Sequence, residues 1–206
     1  YISYNSGNDN NDGKSEDKAF KNLGKVNSIT FKPGDKLRFK SGETWKGYFK
    51  LRGSGSQDKP IVIESYSSGN KPKIDGNGYQ AAVFIENQEY VNISGLDLTN
   101  EASHKNSNGS VKLMNQSSRS GEDERFGLLV LRHGSSNIND IKLDDIKISE
   151  IYPTPSNSDN NHQGYGIRFE SLNDDSVLNY YDGIEIDNLD ISNTGHYGIH
   201  IVNRMS

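Results

Sequence analysis

The chain has no cysteine in its 206 residues, which excludes a disulfide scaffold, a thiolate metal site and a cysteine nucleophile. Apolar residues make up only 31% of it. No apolar run approaches the ~20 residues that cross a bilayer as a helix, so no membrane span is expected. Basic charge is short as well: 23 Lys and Arg against 28 Asp and Glu leave a net charge of -5, and no nucleic-acid partner is expected. Tryptophan occurs once, as Trp45 in an early strand, where core packing is its expected role. Glycine, by contrast, occurs 21 times, and Asn, Ser and Asp are plentiful, a composition that suits many short strands joined by tight turns.

Three stretches follow one template: VNISGLDLTN from Val91, IKLDDIKISE from Ile141 and IEIDNLDISN from Ile184. Each places a large aliphatic residue at its first, third, sixth and eighth positions, for example Ile141, Leu143, Ile146 and Ile148. Spacing of two is strand spacing, and the extra residue between the third and sixth positions turns each template into two short strands meeting at a bend. A second repeat lies upstream of each copy: AAVFIE from Ala81, FGLLVLR from Phe126 and YGIRFE from Tyr165, with YGIHIV from Tyr197 as a fourth. Three of the four begin with an aromatic residue and a glycine. The templates lie 50 and then 43 residues apart (Val91 to Ile141, Ile141 to Ile184), too irregular for propeller blades. Stacked coils tolerate such irregularity, because insertions leave through the turns.

One domain is expected over residues 1–206, with an N-terminal strand and capping helix in 1–30 and β-helix coils in 31–206. The cap is read as a strand at Tyr1–Asn5 and a short amphipathic helix from Glu16 to Ile29, with Phe20, Leu23 and Val26 three apart. Further strands are expected at Leu37–Phe39, Trp45–Leu51 and Ile61–Ser65. Two polar insertions, Glu101–Arg125 and Pro153–Gly164, are long enough to serve function. YGIHIVNRMS reads as the opening of a coil that is not finished. The expected reading is the N-terminal part of a longer domain, completed by the remainder of the chain or by a partner chain. The start at Tyr1 is read as the product of leader removal, giving a secreted, periplasmic or cell-surface location.

YISYNSGNDNNDG (1–13), AFKNLGKVN (19–27) and FKPGDKLRFKSGETWKGYFKLRGSGSQDKPIVIESYSSGNKPKIDGNG (31–78) resemble the N-terminal region of bacterial carbohydrate-active proteins of the pectate-lyase-like superfamily. The resemblance implies an all-β fold, a right-handed parallel β-helix with a short N-terminal capping helix, in a secreted, glycan-active setting. It does not choose a reaction, because polysaccharide lyases, glycoside hydrolases and non-catalytic spikes share the scaffold.

Alternation sorts the upstream strands. With Leu128, Val130, Ile167, Phe169, Ile199 and Ile201 inward, one outward column reads Phe84, Leu129, Arg168, His200 and the next reads Glu86, Leu131, Glu170, Val202. Coils stack about 4.8 Å apart, so Arg168, His200 and Glu170 should be neighbours, with His196 at the turn beside them. Glu170, His196 and His200 are the catalytic candidates for proton transfer. Arg168, Arg132 and His133 are the substrate-binding candidates, the arginines offering a rigid fork for a carboxylate or sulfate. Glu86 and Glu170, two coils apart, are a weaker carboxylate pair, with Leu131 between them. No metal site is assigned. Calcium is left open as a cofactor on the acidic runs, Asp9 and Asp12 in GNDNNDG, Glu122–Glu124, Asp144-Asp145 and Asp174-Asp175, although the EF-hand spacing is absent. The expected function is a secreted glycoside hydrolase acting on an acidic or sulfated polysaccharide. A uronate lyase and a non-catalytic, adhesin-like glycan binder are the alternatives.

Overall fold

A computed structural model describes residues 1–102, 123–134, 137–153, 162–173 and 180–205. Fifteen strands form three parallel sheets, and each coil of chain contributes one strand to each sheet. The first sheet runs β1 (Lys36–Lys40), β4 (Ile61–Tyr66), β7 (Val91–Ser94), β10 (Ile138–Asp144), β13 (Tyr181–Asp187). The second runs β2 (Thr44–Lys46), β5 (Lys73–Asp75), β8 (Asp97–Glu101), β11 (Lys147–Tyr152), β14 (Asp190–Ile191). The third runs β3 (Phe49–Leu51), β6 (Ala81–Glu86), β9 (Asp123–His133), β12 (His162–Asn173), β15 (Ile199–Met205). This is a right-handed parallel β-helix of five coils. One core fills it, built from inward residues such as Phe39, Trp45, Ile63, Leu98, Val130 and Phe169.

The template explains the corner between the first and second sheets. Its fifth position holds Gly95, Asp145 and Asn188, with φ of 67°, 52° and 50°. One left-handed residue turns the chain, and only Gly, Asp and Asn adopt that conformation at low cost. The template's aliphatic residues then stack coil on coil: Val91, Ile141 and Ile184 are in register, as are Leu98, Ile148 and Ile191.

The aromatic-glycine pairs also have a geometric cause. A Cβ on Gly127 would lie 2.7 Å from the Ile148 Cγ2, and one on Gly166 would lie 2.8 Å from the Ile191 Cγ2. The third sheet meets the second there with no room for a side chain. The preceding aromatics stack instead outside the coil, Phe126 on Tyr165 with ring centroids 5.4 Å apart.

Several sequence expectations change. Of Tyr1–Asn5, only Ile2 pairs, bridging Phe39 on one side and Phe20 on the other. That bridge takes Phe20 out of the expected helix, leaving a 3-10 turn (Glu16–Lys18) and α1 (Leu23–Asn27). The cap still works, since Ile2, Leu23 and Val26 are buried in the core and the Trp45 Nε1 donates to the Lys21 carbonyl. YGIHIV supplies β15, which pairs with β12 at the edge of the third sheet. The polar insertions are shorter than read: β8 runs on to Glu101, β9 begins at Asp123 and β12 begins at His162, because β9 and β12 pair along that length.

Candidate active site on the outer face of the third sheet

The expected columns are present. Arg168 pairs in register with Leu129 and His200, and Glu170 pairs with Leu131 and Val202. Glu86 pairs with Leu131, which puts it two coils from Glu170 in the same column. The surroundings differ from expectation. Phe84, Leu129, Leu131, Arg168 and Glu170 are all buried, and a second apolar cluster of Ala81, Phe84, Phe126, Leu129, Leu131 and Tyr165 lies outside the coil.

Arg168 is fully enclosed. Its Nη1 donates to the Glu124 Oε1 at 2.8 Å, and its Nε lies 3.0 Å from the Glu170 Oε2. The guanidinium carbon sits 4.9 Å from the Tyr165 ring centroid and 5.6 Å from that of Phe126. Two carboxylates and two rings thus occupy the fork that was expected to meet an anion from solvent. Buried charges of this kind persist only when paired. Glu124 was singled out in the sequence only within an acidic run, and its pairing with Arg168 was missed because it lies in a polar stretch read as insertion. Its signal was the pairing of β9 with β12, which sets Glu124 opposite Gln163.

His196 and His200 join a cluster of rings beside this triad. His200 stacks on Tyr165 at 5.3 Å and 12°, while His196 meets the Tyr165 ring edge-on at 5.4 Å and lies 4.0 Å from Tyr197. Tyr165 is buried, but His196 and Tyr197 are exposed. Arg168, Glu170, His196 and His200 are therefore brought together, as two buried charges, one exposed ring (His196) and one half-buried ring (His200).

Arg132 and His133 go elsewhere. Arg132 has the inward parity of Leu128 and Val130 and is fully buried, donating to the Ser171 Oγ (3.3 Å) and the Gly134 carbonyl (2.6 Å). Burial lowers its pKa. Nearby, the Tyr181 hydroxyl lies 2.8 Å from the Val130 carbonyl and 2.6 Å from that of Glu170, and burial raises its pKa. His133 instead stands at the far end of β9, half exposed, with its Nε2 2.9 Å from the Glu86 Oε1. The other Glu86 oxygen takes the Lys50 Nζ at 2.7 Å, and the His133 amide donates to the Asn87 Oδ1. Glu86 is largely buried, so a carboxylate held by a lysine fixes an accessible imidazole.

The acidic runs have other work. Burial pushes the Asp9 carboxyl up, but donation from the Asn22 and Lys21 amides and the Asn22 side chain outweighs it and holds the pKa below the usual value. Asp12 accepts from the Lys14 amide, Asp144 from the Asn188 side chain, and Asp145 pairs with Lys71. Among the described residues no three His, Asp or Glu side chains converge as a metal site. Glu122 and Asp174-Asp175 lie outside the described residues. Asn100 satisfies turn backbone, accepting from the Gly78 amide and donating to the Tyr79 and Phe126 carbonyls. Glu150 is the extra residue of a register shift between β8 and β11 and accepts from the Asn193 side chain.

No family model matches the chain. It is 30% identical over 129 residues to a lacto-N-biosidase of Bifidobacterium longum subsp. longum, a match covering 49% of this chain and 8% of that protein. The native crystal structure of a GH136 lacto-N-biosidase from Eubacterium ramulus superimposes with a TM-score of 0.78 at 22% identity, covering 100% of this chain and 36% of that one. Its selenomethionine derivative gives 0.76 over 97% and 35%. The chain thus spans a small part of the curated relative and about a third of the solved proteins. The β-helix fold is common to all of this length.

Proposed function

We propose that the chain is the β-helix part of an exported glycoside hydrolase, with glycan cleaved along the outer face of the third sheet. The observation that carries this reading is the 30% identity over 129 residues to a lacto-N-biosidase. The geometry supports a division of labour on that face. The Arg168–Glu124–Glu170 triad is closed to solvent and positions the strands. His133, held by Glu86, is the accessible proton-transfer group, and positioned acid–base groups of this sort contribute about 10²–10⁴-fold to rate. The exposed rings of His196 and Tyr197, tilted 59° to one another, offer an aromatic corner against which a sugar ring can pack. An acidic or sulfated substrate would need a cation other than Arg168.

The test is turnover of oligosaccharides that lacto-N-biosidases cleave, together with a uronate-containing polymer. New reducing ends without near-ultraviolet absorbance are expected, reduced about 100-fold or more in Glu86→Gln and His133→Gln. An unsaturated, absorbing product would replace hydrolysis by β-elimination. Folded protein that retains glycan and cleaves none of the panel would make it a binding module.

A further inference from the structure

The second sheet carries an outward column of its own. Thr44, Lys73, Asp97 and Lys147 are partners in register across β2, β5, β8 and β11, so Lys73 and Lys147 stand one coil on either side of Asp97. Lys71 enters from the turn before β5 and, with these residues, lines a cavity of about 610 Å³, within the ~300–1,000 Å³ range of ligand sites.

Charges of the two signs sit at different depths here. Glu43, also in the lining, is buried, and its oxygens take the Ser3 hydroxyl at 3.0 Å and the Tyr4 amide at 2.5 Å. The Asp97 side chain is 14% exposed and lies 3.4 Å from the Lys73 Nζ, while Lys73 itself is 39% exposed. Lys71 is paired at 2.9 Å with Asp145, a largely exposed carboxylate at the corner, where solvent weakens the attraction. Lys147 is exposed and has no ion pair among the described residues. The two carboxylates of the lining, Glu43 and Asp97, are therefore sunk into the wall and the ammonium groups face the opening, with the exposed Asp145 and Asp190 (the register partner of Lys147) outside the lining. The lining itself carries three lysines against two carboxylates.

We propose that this cavity binds the anionic substituent of a sugar, a sulfate ester or a carboxylate, with Lys147 as anchor and Lys71 and Lys73 beside it. It is a subsite on a different sheet from the Glu86–His133 pair and rests on the reading of the chain as glycan-active. Ammonium groups suit this task, being mobile point charges with three donors that fit any oxyanion without a fixed fork. The contacts are solvent-exposed, so affinity is modest and falls with salt.

Titration of the protein with a 6-sulfated disaccharide, a uronate-containing disaccharide and an uncharged disaccharide, followed by amide NMR, tests the proposal without turnover. At least one anionic sugar should shift amides around Lys73 and Lys147 and bind more tightly than the uncharged one. Which of the two does so distinguishes sulfate from carboxylate. The Lys71→Gln/Lys147→Gln double variant keeps the Lys73–Asp97 pair, and with it the wall, and should bind about fivefold or more weakly. Salt at 0.5 M, roughly a 4 Å screening length, should have the same effect. No binding of either anionic sugar, equal binding of the uncharged one, or an unchanged double variant would each overturn the subsite. None of these results bears on hydrolysis at the third sheet, whose assay reads cleavage products and the Glu86 and His133 variants rather than binding at the second sheet.

Discussion

The outer faces of the second and third sheets obey the same alternation and end in opposite environments. On the second, Lys73, Asp97 and Lys147 form a charged column open to solvent. On the third, Arg168 and Glu170 occupy equivalent outward positions and are buried among Phe84, Leu129 and Leu131. Parity therefore fixes the side of the sheet on which a residue lies, and the neighbours decide whether it meets water. Parallel sheets are commonly covered on both faces, and outward aliphatic residues are the mark of it. The same charge type is a binding group on one face and part of a closed ion pair on the other.

Removing Arg168 should produce the largest effect. Arg168→Ala leaves Glu124 and Glu170 buried without their partner and should cost about 3–5 kcal/mol in denaturant unfolding. Truncating Lys147 on the open face should leave stability within ~0.5 kcal/mol. If the two variants unfolded alike, the contrast between the faces would be gone. Gly166→Ala comes next. Its Cβ would press on the Gly198 carbonyl and the Ile191 Cγ2, and overpacking of this kind costs about 1–3 kcal/mol. Thermal unfolding measures it, and a neutral result would remove the steric account of the aromatic-glycine pair. Asn188→Ala should give a smaller loss, about 1 kcal/mol, from placing a Cβ residue without a local hydrogen bond in the left-handed region. Asn188→Gly should restore most of it, which separates the backbone cause from the lost contact to Asp144.

Much of this was legible in the sequence. The aliphatic template gave the strand pairs, and alternation placed Arg168 beside His200 and Glu86 two steps from Glu170, as the register has it. Burial was not read, although its sign was present: Phe84, Leu129 and Leu131 lie in the very columns that hold Arg168 and Glu170. An arginine framed by outward aliphatic residues is under cover, and its counter-ion must be sought nearby. The role of Glu124 as counter-ion was not read, because polar residues flank it and hydropathy cannot mark a strand whose partners are a buried ion pair. Arg132 had the inward parity of Val130 all along, but a charged residue in that position reads as an exception until its partners Ser171 and Gly134 are seen.

The one-residue corner at Gly95, Asp145 and Asn188 has a consequence for how such a protein can diversify. A turn made by one residue in the left-handed region has no slack, so an inserted segment there would throw the next strand out of register. In the three coils that carry the template, changes in length must instead enter at the two remaining corners, and both border the third sheet. In the first two coils the same corner spans residues 41–43 and 67–72. The spans between β8 and β9, β11 and β12, and β14 and β15 already differ in length. In its last three coils the scaffold thus channels evolutionary novelty toward one wall of the molecule.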